Sequence, residues 1–210
     1  FKKLTDGKDS LSQSAMYLLG DVYLKTGQKP NARNAFSISS ANPSNQQQRE
    51  VSLFNYGKLS YELGFQDAAI SALKDFLTEF PNSSSAGEAR ELMASILAGT
   101  NNYREALDLL GNLKTPSENV KRIFPKVMYG RAMELINDDA LAEADVLLDK
   151  IVKDPNNAPV IAPTYFWKGE IAYRQNKLDD AIRHYNNYLS AGEYQSGEVN
   201  PQHARYNLGY

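Results

Sequence analysis

A 37-residue period runs through this chain and limits it to folds built by stacking copies of one small unit. Residues 19–23 align with 56–60, and the same offset of 37 carries Gly27 onto Gly64, Ala32 onto Ala69 and Phe36 onto Leu73. Ala106, Ala144 and Ala181 continue the frame at steps of 37, 38 and 37 from Ala69. Five repeats share it, at about 11–43, 44–81, 83–115, 121–156 and 158–192, with a partial repeat at 200–210. All belong to a single array.

Within a repeat the apolar and small residues fall at helical spacing, as in Met16, Leu19, Gly20 and Tyr23, or Leu53, Tyr56, Gly57 and Ser60. A second helical stretch follows a short break, for example Ala69, Ile70, Leu73, Phe76 and Leu77, or Ala181, Ile182, Tyr185, Tyr188 and Leu189. Each repeat is therefore expected to be a helical hairpin, and the fold all-α. Punctuation agrees: Gly27 and Gly64 stand between the helices, Pro30 at a helix start, and Pro43, Pro81 and Pro155 after second helices. Asp67, Glu105, Asp179 and Asp180 open second helices, where carboxylates favour the positive end of the dipole. Gly20, Gly57, Gly130, Gly169 and Gly209 recur where two helices must approach closely.

The third repeat departs from the pattern, with Arg90, Ala94 and Asn101 at the large-apolar and two glycine positions. In the fourth, extra residues fall around 138–141, and Pro125 predicts a helix starting near Ile123 rather than at Ser117. Phe1, Lys2, Lys3 and Leu4 read as the tail of an earlier second helix, and residues 204–210 as a first helix whose partner lies further on. The chain is thus expected to be a segment of a longer one.

Taken in order, a large apolar residue, a Leu-Gly pair, Tyr, Gly, Ala, an aromatic and Pro, the pattern resembles the tetratricopeptide repeat. Repeat one carries it as Met16, Leu19, Gly20, Tyr23, Gly27, Ala32, Phe36 and Pro43. The resemblance implies a right-handed αα superhelix with a concave face formed by the first helices, used to bind a peptide or partner protein. One step around those helices from the core positions stand the groove candidates. They are Tyr17 and Asp21 in repeat one, Phe54, Asn55, Lys58 and Tyr61 in repeat two, and Arg131 in repeat four. Phe166, Trp167, Glu170 and Tyr173 follow in repeat five, and Tyr206 at the end. Tyr17, Phe54 and Phe166 share one repeat position, so an exposed patch containing them is the expected mark of a binding groove. The lysine, asparagine and arginine clamp that some tetratricopeptide proteins close on chaperone C-termini is not reproduced, because its positions read Tyr17, Asp21, Val51, Phe54, Asn55 and Lys58. The phrase at 76–83, Phe-Leu-Thr-Glu-Phe-Pro-Asn-Ser, is similar to repeats in bacterial envelope families, the outer-membrane assembly lipoproteins and Tol-Pal coordinators. That likeness tilts the expected location toward the periplasm or outer membrane.

Charge and composition argue against other classes. Lysine plus arginine number 23 against 25 acidic residues, so no basic field exists to attract nucleic acid. Cysteine is absent and the only histidines, His184 and His203, lie outside any ligand or nucleophile motif, so no metal, cofactor or catalytic site is expected. No apolar run is long enough to span a bilayer. The principal reading is a protein-interaction scaffold, and the terminal repeats are candidates for self-association. A structural spacer within a larger repeat protein and a groove for glycan or cell-wall fragments are the alternatives.

Overall fold

The computed structural model describes residues 10–113, 115–192 and 199–209. The expected helix tail at Phe1–Leu4 and the terminal Tyr210 lie outside the described residues. Among those described there are eleven α-helices and no strand. They divide into two compact units, Phe1–Thr115 and Pro116–Tyr210.

The N-terminal unit holds three hairpins: α1 (Ser10–Lys25) with α2 (Lys29–Ser40), α3 (Gln46–Glu62) with α4 (Gln66–Glu79), and α5 (Ala86–Gly99) with α6 (Tyr103–Gly111). Each second helix packs on the next first helix, α2 on α3 and α4 on α5, while α1, α3 and α5 also touch in succession. This is the stacking order of an αα superhelix. The C-terminal unit holds α7 (Glu118–Asn137) with α8 (Leu141–Lys153), α9 (Ala158–Arg174) with α10 (Leu178–Ala191), and the single helix α11 (Pro201–Leu208). There α8 packs on α9 and α10 on α11.

One turn closes all five hairpins. Gly27, Gly64, Asn101, Asp139 and Asn176 occupy equivalent positions, and all have positive φ, between 57° and 82°. In each hairpin the next amide donates back five residues, as in Gln28 N to Tyr23 O at 2.8 Å and Asn102 N to Leu97 O at 2.8 Å. That bond, with the left-handed residue before it, is the Schellman ending of a helix. Asparagine and aspartate tolerate the left-handed region better than other residues with a side chain. The third repeat, irregular in sequence at Asn101, therefore keeps the common turn.

The helix expected from Ile123 in fact begins at Glu118, and Pro125 lies inside it. Ser117 caps it by accepting the amide of Val120 at 3.3 Å, and Val120 and Pro125 are both buried. Capping and burial together outweigh the one backbone hydrogen bond that proline removes. Pro163 inside α9 is likewise buried, there without a side-chain cap at Asn157.

Gln13 is buried in the N-terminal unit. Its Nε2 donates to Asn42 O at 2.7 Å and its Oε1 accepts from Asn45 N at 2.7 Å, which holds the α2–α3 connection against α1. Arg49 crosses from α3 to the Glu79 carboxylate at the end of α4, at 2.8 and 2.6 Å, and also donates to Ser40 O.

Candidate functional site

In the N-terminal unit the groove candidates lie on α1 and α3. Tyr17 is half-buried against the cluster of Ala32, Phe36 and Leu59. Asp21 pairs with Lys25 of the same helix at 2.7 Å, and Lys58 pairs with Glu88 of α5 at 2.7 Å. Asn55 turns back to donate to Val51 O at 2.9 Å, and Tyr61 is half-buried near the end of α3.

Phe54 overturns the expectation of an exposed ring. It is buried, its centroid 5.4 Å from that of Phe76 on α4. In the C-terminal unit Phe166 does the same: it is fully buried and meets Tyr185, Tyr188 and His203 edge-on at 5.4 to 5.9 Å. The physical reason is shared. A phenyl ring carries no polar atom, and burying it gains about 1.5–3 kcal/mol, so the hairpins close over it. Tyrosine at the same position, as in Tyr17, is only half-buried. The patch of Tyr17, Phe54 and Phe166 therefore does not form.

Of the groove candidates in the C-terminal unit, Tyr173 near the end of α9 and Tyr206 on α11 are exposed, at 42% and 61%. A polar network joins the helices that carry them. The Tyr185 hydroxyl donates to Glu170 Oε1 at 2.7 Å, and Asn207 Nδ2 lies 2.6 Å from that oxygen and 2.8 Å from the Tyr185 oxygen. Burial and the neighbouring carboxylate push the Tyr185 phenol up, so it stays a donor. Trp167 is half-buried and its Nε1 donates to the Tyr129 hydroxyl on α7 at 3.0 Å. Burial pushes that phenol up to about 12. Arg131 donates to Glu134 of its own helix at 2.9 Å. Trp167 and Arg131 thus serve the packing of α7 and α9 or their own helix surface, while Glu170 ties α9 to α10 and α11.

Sequence reading missed Lys168, which stands where the repeat usually places an apolar residue. Its side chain is buried and bridges α9 to α8 through Asp145 at 2.5 Å and Asp149 at 2.6 Å. A charge at a core-facing register position was the available signal, and its partners lie 23 and 19 residues away in sequence. The bond from Lys168 holds the Asp149 carboxyl below its ordinary value of 3.8. Burial alone would lower Lys168, but the two carboxylates outweigh it and raise it above 10.5. Close by, His184 stacks on Tyr165, and its Nδ1 is buried without a hydrogen-bond partner. Burial first, then Lys168 and Arg183, lower it below 6.5 against the opposing pull of Asp180 and Asp145.

The signs of these shifts set an expected pH profile. A group lowered on folding adds stability above its unfolded pKa and loses it as pH falls through the folded value; a raised lysine adds stability below its unfolded pKa and loses it as pH climbs through the folded value. The C-terminal unit should thus be most stable between about pH 7 and 10 and weaken on acidification in two stages, below 6.5 with His184 and below 3.8 with Asp149. Urea titrations from pH 8 to pH 3 test this, and His184→Gln should remove the first stage alone. A flat profile between pH 8 and 5 would contradict it.

The tetratricopeptide repeat family model matches residues 14–38 and 51–83, and those stretches are tetratricopeptide repeats. The chain is thus a helical-repeat protein carrying tetratricopeptide repeats, and such folds generally serve as protein-interaction scaffolds. No curated protein matches it. Among solved structures it is similar to a MamA protein at 18% identity, over 85% of this chain and 91% of that one, with a TM-score of 0.47. It is similar also to a tetratricopeptide repeat protein from Parabacteroides merdae at 17% identity, over 96% and 84%, with a TM-score of 0.46. The P58(IPK) tetratricopeptide domain follows at 15%, over 94% and 54%, with a TM-score of 0.37. Assignment of the repeat rests on the family match and on the hairpins themselves. No helix among the described residues is long and apolar enough to cross a membrane.

Proposed function

We propose that this chain is a non-catalytic scaffold that binds a peptide or a segment of a partner protein across its first helices. The supporting observation is that Tyr173 and Tyr206 are both exposed, on α9 and α11, two helices that the Glu170–Tyr185–Asn207 network joins. A tyrosine brings large rigid contact area at small entropic cost, and a network that fixes α9, α10 and α11 together reduces the ordering needed on binding. Photo-crosslinking from position 206 in an extract of the source organism identifies the partner. Tyr173→Ser with Tyr206→Ser is then expected to weaken that partner's affinity by about 10–100-fold while the helical circular dichroism is unchanged. Unchanged affinity would sink this reading.

A spacer role is favoured for the N-terminal unit by one observation: Asp21 and Lys58, the charges offered to a ligand there, are already paired with Lys25 and Glu88. A ligand would have to displace those contacts.

A further inference from the structure

A cleft of about 580 Å³ opens at one end of the third hairpin, lined by the loop before α5, the first turns of α5 and the residues that follow α6. Its size is that of a ligand pocket. Three departures from the repeat make room for it. Gly87 stands where repeat one has Gln13, and Arg90 where it has Met16, both of which are buried in their hairpin. A Cβ at Gly87 would meet nothing within 4 Å. The second helix is also shorter: α6 stops at Gly111, equivalent to Ser37, whereas α2 runs on to Ser40.

The lining carries one charged residue, Arg90. It is half-buried, and among the described residues its guanidinium has neither an ion pair nor a hydrogen bond. Asn82 and Ser83 line the cleft from the loop, Asn112 and Leu113 from the end of α6. Glu79 and Glu88, the acids that flank the loop, are committed to Arg49 and Lys58. The preceding hairpin shows what a guanidinium takes at this end. Arg49, near the start of α3, holds both carboxylate oxygens of Glu79 at the end of α4. One period on, those two places are Ala86 and Pro116, so no acid of repeat three stands there to meet an arginine one turn further along α5. A single guanidinium matches one carboxylate through two parallel hydrogen bonds. A phosphate dianion would bring a second charge that no other lining residue balances.

We infer that this cleft binds an acidic side chain, Asp or Glu, within a peptide segment of a partner protein, its carboxylate on Arg90. The neighbouring peptide groups of that segment pair with the Asn82 amide and with Oδ1 of Asn112, whose Nδ2 already donates to Asp108 O at 2.7 Å. The cleft belongs to the N-terminal unit and stands or falls without the tyrosine pair on α9 and α11.

Acetylated and amidated Thr-Glu-Phe, the sequence at 78–80, is the probe, so that glutamate supplies its one carboxylate. It is titrated into the full chain and followed by amide chemical shifts, beside its glutamine analogue and inorganic phosphate. Saturable shifts are expected at 82–90 and 112–113. The glutamine analogue, and the Arg90→Met protein with the original peptide, should each bind about tenfold more weakly. Repeats one and four already bury methionine at this position, as Met16 and Met128, so the variant should keep or raise its thermal transition. Lack of saturation, or equal binding by the glutamine analogue or by the Arg90→Met protein, overturns the inference. So does phosphate that saturates the same residues more tightly than the peptide, since the occupant would then be a phosphoryl group.

Discussion

Phe166→Ala is expected to cost the C-terminal unit about 3–5 kcal/mol, enough to remove most of the stability of a small folded unit. Phe166 is fully buried, with Tyr185, Tyr188, Trp167 and His203 against its edges and faces. Truncation loses the transfer energy of the ring and leaves a cavity, and large neighbouring rings cannot collapse into it without leaving their rotamers. Urea denaturation followed by near-ultraviolet circular dichroism measures the loss. Phe166→Leu, which keeps most of the volume, should recover more than half of it. A cost below about 1 kcal/mol for the alanine variant would mean that Phe166 faces solvent after all. The substitution is consequently a poor probe of binding: lost capture by such a variant would report unfolding.

Adding one methyl group is expected to have opposite effects at different glycines. At Gly20 a Cβ would lie 2.8 Å from the buried Phe36 ring, at Gly57 2.9 Å from Leu73, and at Gly169 2.8 Å from the Tyr185 ring. Alanine in a helix interior gains roughly 1 kcal/mol over glycine, but overpacking costs about 1–3 kcal/mol where the neighbour cannot move aside. Those neighbours are buried rings or a core leucine, so all three substitutions should destabilise, and valine should cost the full overpacking penalty without alanine's helix gain. Gly87 of α5 has nothing within 4 Å of its Cβ position, and Gly87→Ala should stabilise by roughly 0.5–1 kcal/mol. Midpoints of thermal unfolding for the four alanine variants decide it; a uniform shift in one direction would refute the close-approach account.

The helical hairpins were legible because their determinants are local or periodic. Apolar spacing marked α3 and α4, and the acids at Asp67 and Asp179 stand in first turns as expected. Asn101 was harder to place: its equivalence to Gly27 was visible, but only backbone geometry shows that both adopt one left-handed turn. Pro125 misled because the rule against proline inside helices is local, whereas burial of the surrounding turn is tertiary.

The candidate surface was less legible. Residues one step around a first helix can be named from the period, but whether each ring is covered depends on helix rotation and on the neighbour it meets. Phe54 and Phe166 were swallowed by the stack, while Tyr173 and Tyr206 stayed out. Lys168 and its two aspartates are a pairing between adjacent hairpins. The sequence by itself determined the all-α hairpin, its period and its close helix contacts, because these follow from side-chain size and spacing within one repeat. Tertiary structure alone decided which aromatics are core and which charges are paired, because burial is a property of the neighbours that a side chain meets.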